Sequence, residues 1–228
     1  MPARCQAALR SAHPILALAP PRRHNMRKTM GHLFYTVGHS TRSLPEFLAL
    51  LRAYGIAAIA DIRAFPSSRC FPHFSQESLA VSLEQAGLEY VWLGKELGGY
   101  RKTGLGAASP NTAWASPGFQ NYADHMLSEE FHRGTTALLA LGQRNRTAIL
   151  CAERCWWRCH RRLLSDWLVA QGHGVIHILE LNRAVEHRLP PFAKVEAGGV
   201  TYPREALWSH GCGKASFRKS SRVGKRGV

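Results

Sequence analysis

The stretch Ala148-Ile149-Leu150-Cys151-Ala152-Glu153, with Cys159-His160-Arg161 after it, decides the fold of this chain. Residues 147–150 form a short run of apolar or β-branched residues, which is typical of a strand buried in a parallel sheet. From Arg161 onward, apolar residues recur at helical spacing until Gly172, where a helix can end. The pattern predicts a strand, a polar loop and a helix. In open α/β sheets ligands bind beyond the carboxyl ends of the strands, so we expect the functional site at this loop.

The same unit of strand and helix recurs along the chain. Four more apolar stretches are predicted as strands, at residues 33–37, 56–62, 88–93 and 175–179. Helical patterns lie between them, and three of the helices end in glycine just before a strand. This order predicts an α/β fold, in the form of a three-layer, Rossmann-like domain. It would have a roughly five-stranded, mainly parallel sheet with helices on both faces.

Serine residues mark the predicted helix starts. Ser43, with Glu46 three residues later, matches a capping box. Ser75 is expected to cap the second helix, and Ser116, followed by proline, starts a third. Ser128 is expected to restart the chain in a further helix.

Length and composition indicate one domain. The chain has 228 residues, and 45% of them are apolar, enough for a full core. Residues 31–180 are predicted as a single α/β domain, and residues 181–202 as a small C-terminal appendage with a hairpin turning at Gly198-Gly199. Residues 1–30 and 203–228 are predicted as basic, disordered ends. Met30 directly precedes the first strand, which makes it a second candidate for the start of translation.

The positive charge is concentrated at the two ends. The formal charge is +15, and residues 1–30 together with residues 203–228 account for +12 of it. Solvated basic tails bind polyanions weakly and in a salt-sensitive manner. Nucleic-acid binding through these ends is therefore an alternative function and not the leading one.

Several classes of protein find no support in the sequence. No apolar run approaches the ~20 residues of a membrane helix, and residues 15–21 are too short and proline-rich for a signal peptide. We therefore expect a cytoplasmic protein without a membrane partner. The loop from Gly38 to Ser43 is not a dinucleotide fingerprint, and there is no P-loop. The cofactor and the oligomeric state stay unknown at this point.

Three of the six cysteines crowd together. Cys151, Cys155 and Cys159 fall within nine residues, which argues against a secreted disulfide framework. Reactive thiols or metal ligands in a reducing compartment are expected instead. Cys151, Cys155, Cys159 and His160 could bind zinc, but their spacing differs from that of zinc knuckles and iron–sulfur runs. Zinc is therefore the weaker alternative.

Four short motifs occur in order: Thr36-Val-Gly-His-Ser40, Asp61-Ile-Arg63 followed by Pro66, Leu97-Gly98-Gly99, and Cys151-Ala-Glu153 followed by Cys159-His-Arg161. In combination they resemble the domain of unknown function 488 family, which is mainly prokaryotic. The resemblance covers about residues 33–179. It implies a compact α/β domain with the motif residues clustered, and it brings no reaction with it. Cys155 falls in the variable part of the last motif, so it is less expected than Cys151 or Cys159 to belong to a shared site.

Five ionisable residues are candidates for catalysis because each follows a predicted strand at the same sheet edge or begins a helix there: Cys151, His39, Asp61, Glu153 and His160. Cys151 is the candidate nucleophile, activated by His39 or His160, although a buried cysteine can also be a small hydrophobe. Asp61 could act as a general base, orient a histidine or form a structural ion pair. Glu153 could orient another catalytic group or act as an acid or base. It could also only stabilise the helix by interacting with its dipole.

Five further residues are candidates for ligand binding: Arg63, Ser40, Arg161, Tyr100 and Arg101. Arg63 and Arg161 offer planar clamps for phosphate or carboxylate, and Arg161 lies near a helix N-terminus with free backbone N–H groups. Tyr100 could stack on a planar ligand. Arginines at such places are also often only solvated.

Cys159 is a redox candidate because a helix N-terminus favours its thiolate and Cys151 could pair with it across the loop. The leading hypothesis is a pocket for a small anionic, phosphate-bearing or nucleotide-like ligand, used by a cysteine-dependent hydrolase or transferase. The alternatives are a non-catalytic nucleic-acid-binding protein and a thiol redox protein. Whether the protein is an enzyme stays open at the level of sequence.

Overall fold

The computed structural model describes residues 31–67, 70–196 and 198–205. The predictions made for residues 1–30, and for nearly all of residues 203–228, lie outside this part of the chain. Within it, no helix is long and apolar enough to cross a membrane.

The described chain contains eight strands and six α-helices. The strands are β1 (Leu33–Gly38), β2 (Ala58–Asp61), β3 (Glu89–Trp92), β4 (Thr147–Cys151), β5 (Gly174–Glu180), β6 (Arg183–Glu186), β7 (Lys194–Glu196) and β8 (Gly199–Thr201). The helices are α1 (Leu44–Ala53), α2 (Gln76–Gln85), α3 (Gly94–Leu97), α4 (Pro117–His125), α5 (Glu129–Arg144) and α6 (Arg161–Ala170). Short 3-10 helices lie at Pro72–Phe74, Gly106–Ala108 and Trp156–Arg158.

The main sheet has the strand order β3-β2-β4-β1-β5-β6. Strands β1 to β5 pair in parallel, which confirms the predicted Rossmann-like α/β fold. Strand β6 pairs antiparallel with β5 and makes a sixth strand that the sequence did not predict. The reason is that Arg183–Glu186 is exposed along its whole length and has no apolar run. Strands β7 and β8 form the predicted hairpin.

Helices cover both faces of the sheet. Phe47 of α1 and Leu79 of α2 pack with Ile59 of β2 in one core. Leu138 of α5 and Leu164 of α6 belong to a second core on the opposite face, together with residues of α4. Each fully buried Leu or Phe contributes about 1.5–3 kcal/mol to folding, so both layers hold the sheet firmly.

The helix starts follow the predicted chemistry with one exception. The backbone N–H of Ser43 donates to Glu46 Oε2 at 2.8 Å, and Ser43 Oγ accepts from the Glu46 backbone, which completes the capping box of α1. Ser128 Oγ accepts from the Phe131 backbone at the start of α5. The side-chain cap predicted for α2 is wrong, because the hydroxyl of Ser75 donates to Ser78 Oγ instead of capping the backbone.

Candidate functional site

The carboxyl ends of β1, β2 and β4 lie side by side at one edge of the sheet. Gly38 of β1 is paired with Cys151 of β4, and Asp61 of β2 is paired with Leu150. Successive strand residues point to opposite faces, so Cys151 faces the layer of α4–α6 and Asp61 faces the layer of α1 and α2. The side chains at these strand ends therefore lie on two faces of the sheet and do not form one cluster.

Cys151, Cys159 and His160 form a group that we call the sulfur cluster. One ligand atom from each residue lies within 4.8 Å of the other two, and both thiols are free. Cys159 Sγ lies 3.6 Å from His160 Nδ1. It also accepts the backbone N–H and the Nε–H of Arg161, at 3.5 Å and 3.4 Å. Several donors converging on one sulfur favour its ionised form.

Local structure explains why these residues meet. Strand β4 ends at Cys151, the 3-10 helix Trp156–Arg158 turns the chain back, and α6 begins at Arg161. Cys159 and His160 thus lie at the N-terminus of α6, where the helix dipole stabilises negative charge.

His160 is fixed by contacts on both of its ring nitrogens. Its Nε2 lies 3.3 Å from the carbonyl oxygen of Ile62, and a carbonyl can only accept, so Nε2 carries a proton. This leaves Nδ1 to face Cys159. The ring also packs at 5.1 Å from that of Tyr122. A side chain at Gly99 would overlap the His160 ring, which explains why the motif glycine lies there.

Arg161 is the largest fully buried side chain in the described part of the chain, and it is only 1% exposed. Its guanidinium donates to the carbonyl oxygen of Glu153 and to Cys159 Sγ. Among the described residues, none of the carboxylate ion pairs includes Arg161. An unpaired buried charge costs several kcal/mol, so this guanidinium requires a nearby anion. The sulfur of Cys159 is the group that can supply one.

The two thiols of the sulfur cluster differ in acidity. Burial raises the pKa of Cys159, but the hydrogen bond from Cys151 and the charges of His160 and Arg161 outweigh it and hold the pKa well below its usual range. The hydrogen bond to Cys159, together with burial, raises the pKa of Cys151 well above its usual range. The arrangement therefore favours a thiolate at Cys159 and a protonated thiol at Cys151. The nucleophile predicted at Cys151 fits Cys159 better.

The predicted zinc ligands meet only in part. Cys151, Cys159 and His160 come together, whereas Cys155 is not part of the group. Nitrogen and thiolate ligands of this kind suit a soft cation such as zinc. Two thiolates would neutralise a divalent ion, however, and Arg161 would then lack its anion unless a further anionic ligand were added. This charge count favours a free thiolate over a bound zinc.

The family described as "Domain of unknown function DUF488" matches residues 43–168, more than half of the chain. The chain belongs to the DUF488 family. This confirms the resemblance found in the sequence motifs, although Thr36–Ser40 lies just before the matched range. No curated protein and no solved structure matches the chain. A family of unknown function supplies no reaction, so the function has to be argued from the site itself.

The motif Asp61-Ile-Arg63 of this DUF488 domain forms a buried ion pair on the α1–α2 face. Arg63 Nη2 lies 2.5 Å from Asp61 Oδ2, and Arg63 Nε lies 2.9 Å from Asp61 Oδ1. Tyr90 donates its hydroxyl to Asp61 at 2.8 Å, and Arg63 also donates to the carbonyl oxygen of Phe74. Asp61 as a general base and Arg63 as an anion clamp are therefore not favoured, because these partners occupy both groups. Tyr90 was missed because nothing in a lone strand tyrosine indicates its partner.

His39 lies beside this ion pair and not beside the thiols. Its Nδ1 donates to the carbonyl oxygen of Ser40 at 2.9 Å, and its Nε2 lies 3.4 Å from Arg63 Nη1. Its ring stacks on Phe74 at 4.2 Å. Burial lowers the pKa of His39 to about 4, so the ring stays neutral at pH 7. Of the two histidines predicted to activate a cysteine, His160 makes the contact and His39 does not.

A cleft of about 420 Å³ opens beside His39, between the exit of β1 and the loop after β4. Its lining includes Ser40, Glu153, Arg154 and Arg158. Ser40 has a φ of 52°, a left-handed conformation that is uncommon outside glycine and often marks functional loops. The Glu153 side chain is exposed, and its carbonyl oxygen, not its carboxylate, contacts Arg161. Cys151, Cys159 and His160 are not among the lining residues.

Tyr100 and Arg101 line a different cleft, of about 460 Å³, together with Lys102 and His125. The guanidinium of Arg101 already donates to the carbonyl oxygens of residues 95, 96 and 98 and pairs with Glu130. Arg101 therefore holds the loop after α3 and is not free for a ligand. Tyr100 is 59% exposed and meets Phe65 edge to face at 5.5 Å, so it stays available for stacking.

A buried series of hydrogen bonds links β1 and β5 to α6. The sequence did not predict it. Thr36 Oγ1, His177, His187 and Asp166 follow one another at 2.7, 2.9 and 2.7 Å, and Tyr202 donates to Asp166 at 2.7 Å. The Asp166 carboxylate accepts, so His187 Nε2 carries a proton, His177 donates to His187, and Thr36 donates to His177. In this arrangement each ring nitrogen of the two histidines has a hydrogen-bond partner. These hydrogen bonds connect Asp166 of α6 to residues 181–202, the segment predicted as an appendage.

Proposed function

We propose that this DUF488 protein is a cysteine-dependent enzyme whose reactive group is the thiolate of Cys159. The observation that carries the proposal is the buried guanidinium of Arg161, which contacts Cys159 Sγ and has no carboxylate partner among the described residues. Buried structural cysteines do not need a cation, a helix N-terminus and an imidazole around one sulfur. A nucleophile does, because only the thiolate attacks.

The residues of the site take distinct roles in this proposal. Cys159 Sγ forms a bond to the electrophilic atom of the substrate as the bond to the leaving group breaks. His160 Nδ1, 3.6 Å away, receives the proton of the Cys159 thiol and can return it to the leaving group. Arg161 stabilises the thiolate before attack and is a positioning residue, not the nucleophile.

The cleft beside His39 supports a ligand with negative charge. Arg154 and Arg158 line it, and both belong to the loop that joins Cys151 to Cys159. A phosphate-bearing or other anionic group held there by Arg158, and by Arg154 once it leaves its exposed ion pair with Glu180, would order this loop. Because Cys151 and Cys159 are only 7% and 3% exposed, movement of this loop would control access to them.

We place the protein in a reducing compartment, the cytoplasm, because four cysteines in the described part of the chain are free.

The test is alkylation of the full chain by iodoacetamide at pH 7 and pH 9, with the labelled cysteines identified by mass spectrometry. An ordinary thiol with a pKa of about 8.5 reacts about 25-fold faster at pH 9 than at pH 7. Cys159 should gain less than about twofold, since it is already ionised. Cys155→Ser is the matched control and should leave the rate at Cys159 unchanged. A Cys159 that gains rate like an ordinary thiol, or reacts only after unfolding, contradicts the proposal.

A further inference from the structure

We infer that Cys151 and Cys159 form a redox couple that reduces hydrogen peroxide and closes to an intramolecular disulfide. The inference rests on the proposed thiolate at Cys159 and goes beyond it, because it names the substrate class and assigns Cys151 a role.

The two sulfurs are positioned for a disulfide. They lie within 4.8 Å of each other and both are free. A disulfide needs a separation of about 2.05 Å, so they have to approach by up to about 3 Å. Cys151 is the last residue of β4, and Cys159 has extended backbone (φ −122°, ψ 148°) between a 3-10 helix and α6. The β1–β4 ladder holds Cys151 through its pairing with Gly38, so Cys159, on the loop before α6, is the residue that has to move.

Burial selects a small oxidant. Cys159 is 3% exposed and Cys151 is 7% exposed, so bulky disulfides reach them poorly, whereas hydrogen peroxide is hardly larger than water. Arg161 Nε and His160 Nδ1 lie 3.4 Å and 3.6 Å from Cys159 Sγ. The Arg161 N–H, and His160 Nδ1 once it has received the Cys159 proton, can also hold the peroxide oxygens beside the sulfur and stabilise the charge on the departing oxygen.

The chemistry balances without any other reactant. The Cys159 thiolate attacks one peroxide oxygen, so that an S–O bond forms and the O–O bond breaks, and the departing hydroxide takes from His160 Nδ1 the proton that Cys159 gave up and leaves as water. Cys151 then attacks the sulfur of the Cys159 sulfenic acid. An S–S bond forms, the S–O bond breaks, and the thiol proton of Cys151 leaves with the hydroxide as a second water. Two electrons have passed from the two cysteines to the peroxide, and a dithiol reductant restores them.

The order of attack follows from the contacts. Cys159 Sγ accepts two N–H groups of Arg161 and lies 3.6 Å from His160 Nδ1, whereas Cys151 Sγ lies within 4.8 Å of the Cys159 sulfur. Cys159 is therefore the peroxide-reacting cysteine and Cys151 the resolving one. Cys155 lies midway between them in the sequence but outside the sulfur cluster, which makes it the natural internal control.

The test treats the reduced full chain with one equivalent of hydrogen peroxide at pH 7 and maps the cysteines by mass spectrometry. The wild type and Cys155→Ser should both form the Cys151–Cys159 disulfide, with loss of two hydrogens, and dithiothreitol should reverse it. Cys159 should be oxidised about 30-fold faster than an ordinary thiol, which is only about 3% ionised at pH 7. Cys151→Ser should stop at a sulfenic acid on Cys159 that dimedone traps, and Cys159→Ser should form neither product.

The outcomes separate this inference from the proposed function. If iodoacetamide identifies Cys159 as a thiolate but peroxide forms no Cys151–Cys159 disulfide, the redox couple is wrong and the nucleophile stands. If Cys159 reacts with neither iodoacetamide nor hydrogen peroxide, both the proposed function and the redox couple are wrong. Stoichiometric zinc in the purified protein that blocks oxidation would also overturn the redox couple and make the sulfur cluster a metal site. Disulfide mapping in the wild type and Cys155→Ser needs no substitution within the sulfur cluster, so a poorly folding variant does not compromise it.

Discussion

At the scale of single residues, the proposed thiolate at Cys159 depends on the contact between Arg161 and the Cys159 sulfur. A guanidinium that is 1% exposed has no carboxylate partner among the residues that the structure describes, and it donates to the Cys159 sulfur. Such an arrangement is costly if the sulfur is a neutral thiol and favourable if it is a thiolate. The acidity of Cys159 and the stability of the fold are therefore coupled through this contact.

Arg161→Met should raise the pKa of Cys159 and slow its alkylation at pH 7. Methionine keeps an apolar stem in the core but removes the charge, so each unit by which the pKa rises above the assay pH lowers the thiolate fraction about tenfold. The measurement is the rate of alkylation of Cys159 across pH 5–9. Arg162→Met is the matched control, because Arg162 lies over the ring of Trp114 at 4.9 Å, away from the sulfur cluster. An unchanged rate profile in Arg161→Met would show that Arg161 does not set the acidity of Cys159.

At the scale of secondary-structure elements, the alternation of strand residues separates two polar groups that are neighbours along one sheet edge. Asp61 and Arg63 face α1 and α2, whereas Cys151 faces α4–α6. The ion pair fixes the exit of β2, and the sulfur cluster occupies the exit of β4. The first group is structural in its contacts, and the second carries the proposed chemistry.

Asp61→Asn should destabilise the fold by about 3–5 kcal/mol, because it leaves the buried charge of Arg63 without its partner. Glu89→Gln is the contrasting variant, since Glu89 and Arg144 form an exposed pair worth at most about 1 kcal/mol. Urea unfolding of both variants measures the difference. Equal losses would contradict the structural role given to the Asp61–Arg63 pair.

The fold should lose stability as the pH falls from about 6.5 to about 4, in part through His39. Burial lowers the pKa of this ring from 6.5 to about 4, so over that range the unfolded chain binds a proton that the folded chain does not. Stability from this group is present above pH 6.5, and it is lost as the pH falls. His39→Gln should flatten the decline measured by urea unfolding at pH 4.5, 5.5, 6.5 and 7.5. A variant whose decline matches that of the wild type would show that His39 does not titrate in this way.

At the scale of the whole molecule, most of the positive charge belongs to the two ends of the sequence. The two ends account for +12 of the +15 charges. If they bind nucleic acid, affinity should depend on salt and not on the thiols.

Any binding of the full chain to single-stranded DNA should weaken by at least tenfold between 50 mM and 200 mM salt if about three or more phosphates are contacted. Cys159→Ser should bind as the wild type does, measured by fluorescence anisotropy. Loss of DNA binding in that variant alone would instead place the sulfur cluster in a nucleic-acid site and favour the non-catalytic alternative.

The fold follows from local patterns that a sequence displays directly. The capping box at Ser43, the apolar run of β4 and the glycine at 172 each have a physical meaning of their own, and the structure confirms them. Strand β6 was not predicted, because its four residues are all exposed and show no alternation of buried and exposed positions.

The candidate site could be predicted only as a set of residues at one edge of the sheet. Cys151, Cys159, His160 and Arg161 do come together, as expected. The separation of His39 and Asp61 from them depends on which strand residues face which layer, and the period of two along β2 and β4 contains that information once the strands are aligned. Two hydrogen bonds join residues that are far apart in the sequence. Tyr90 and Asp61 are 29 positions apart, and Thr36 and His177 are 141 positions apart. No local pattern encodes such contacts.

The most direct test is the pH titration of thiolate ultraviolet absorbance in the full chain, taken as the difference between the wild type and Cys159→Ser. Because absorbance needs no reagent to reach the sulfur, burial does not obscure it. We predict that the difference signal is already present at pH 7 and has a midpoint well below the value of about 8.5 for a free thiol. Cys155→Ser should retain this signal. A midpoint at or above the free-thiol value would show that Cys159 is protonated beside Arg161, and would contradict the thiolate on which the proposed function rests.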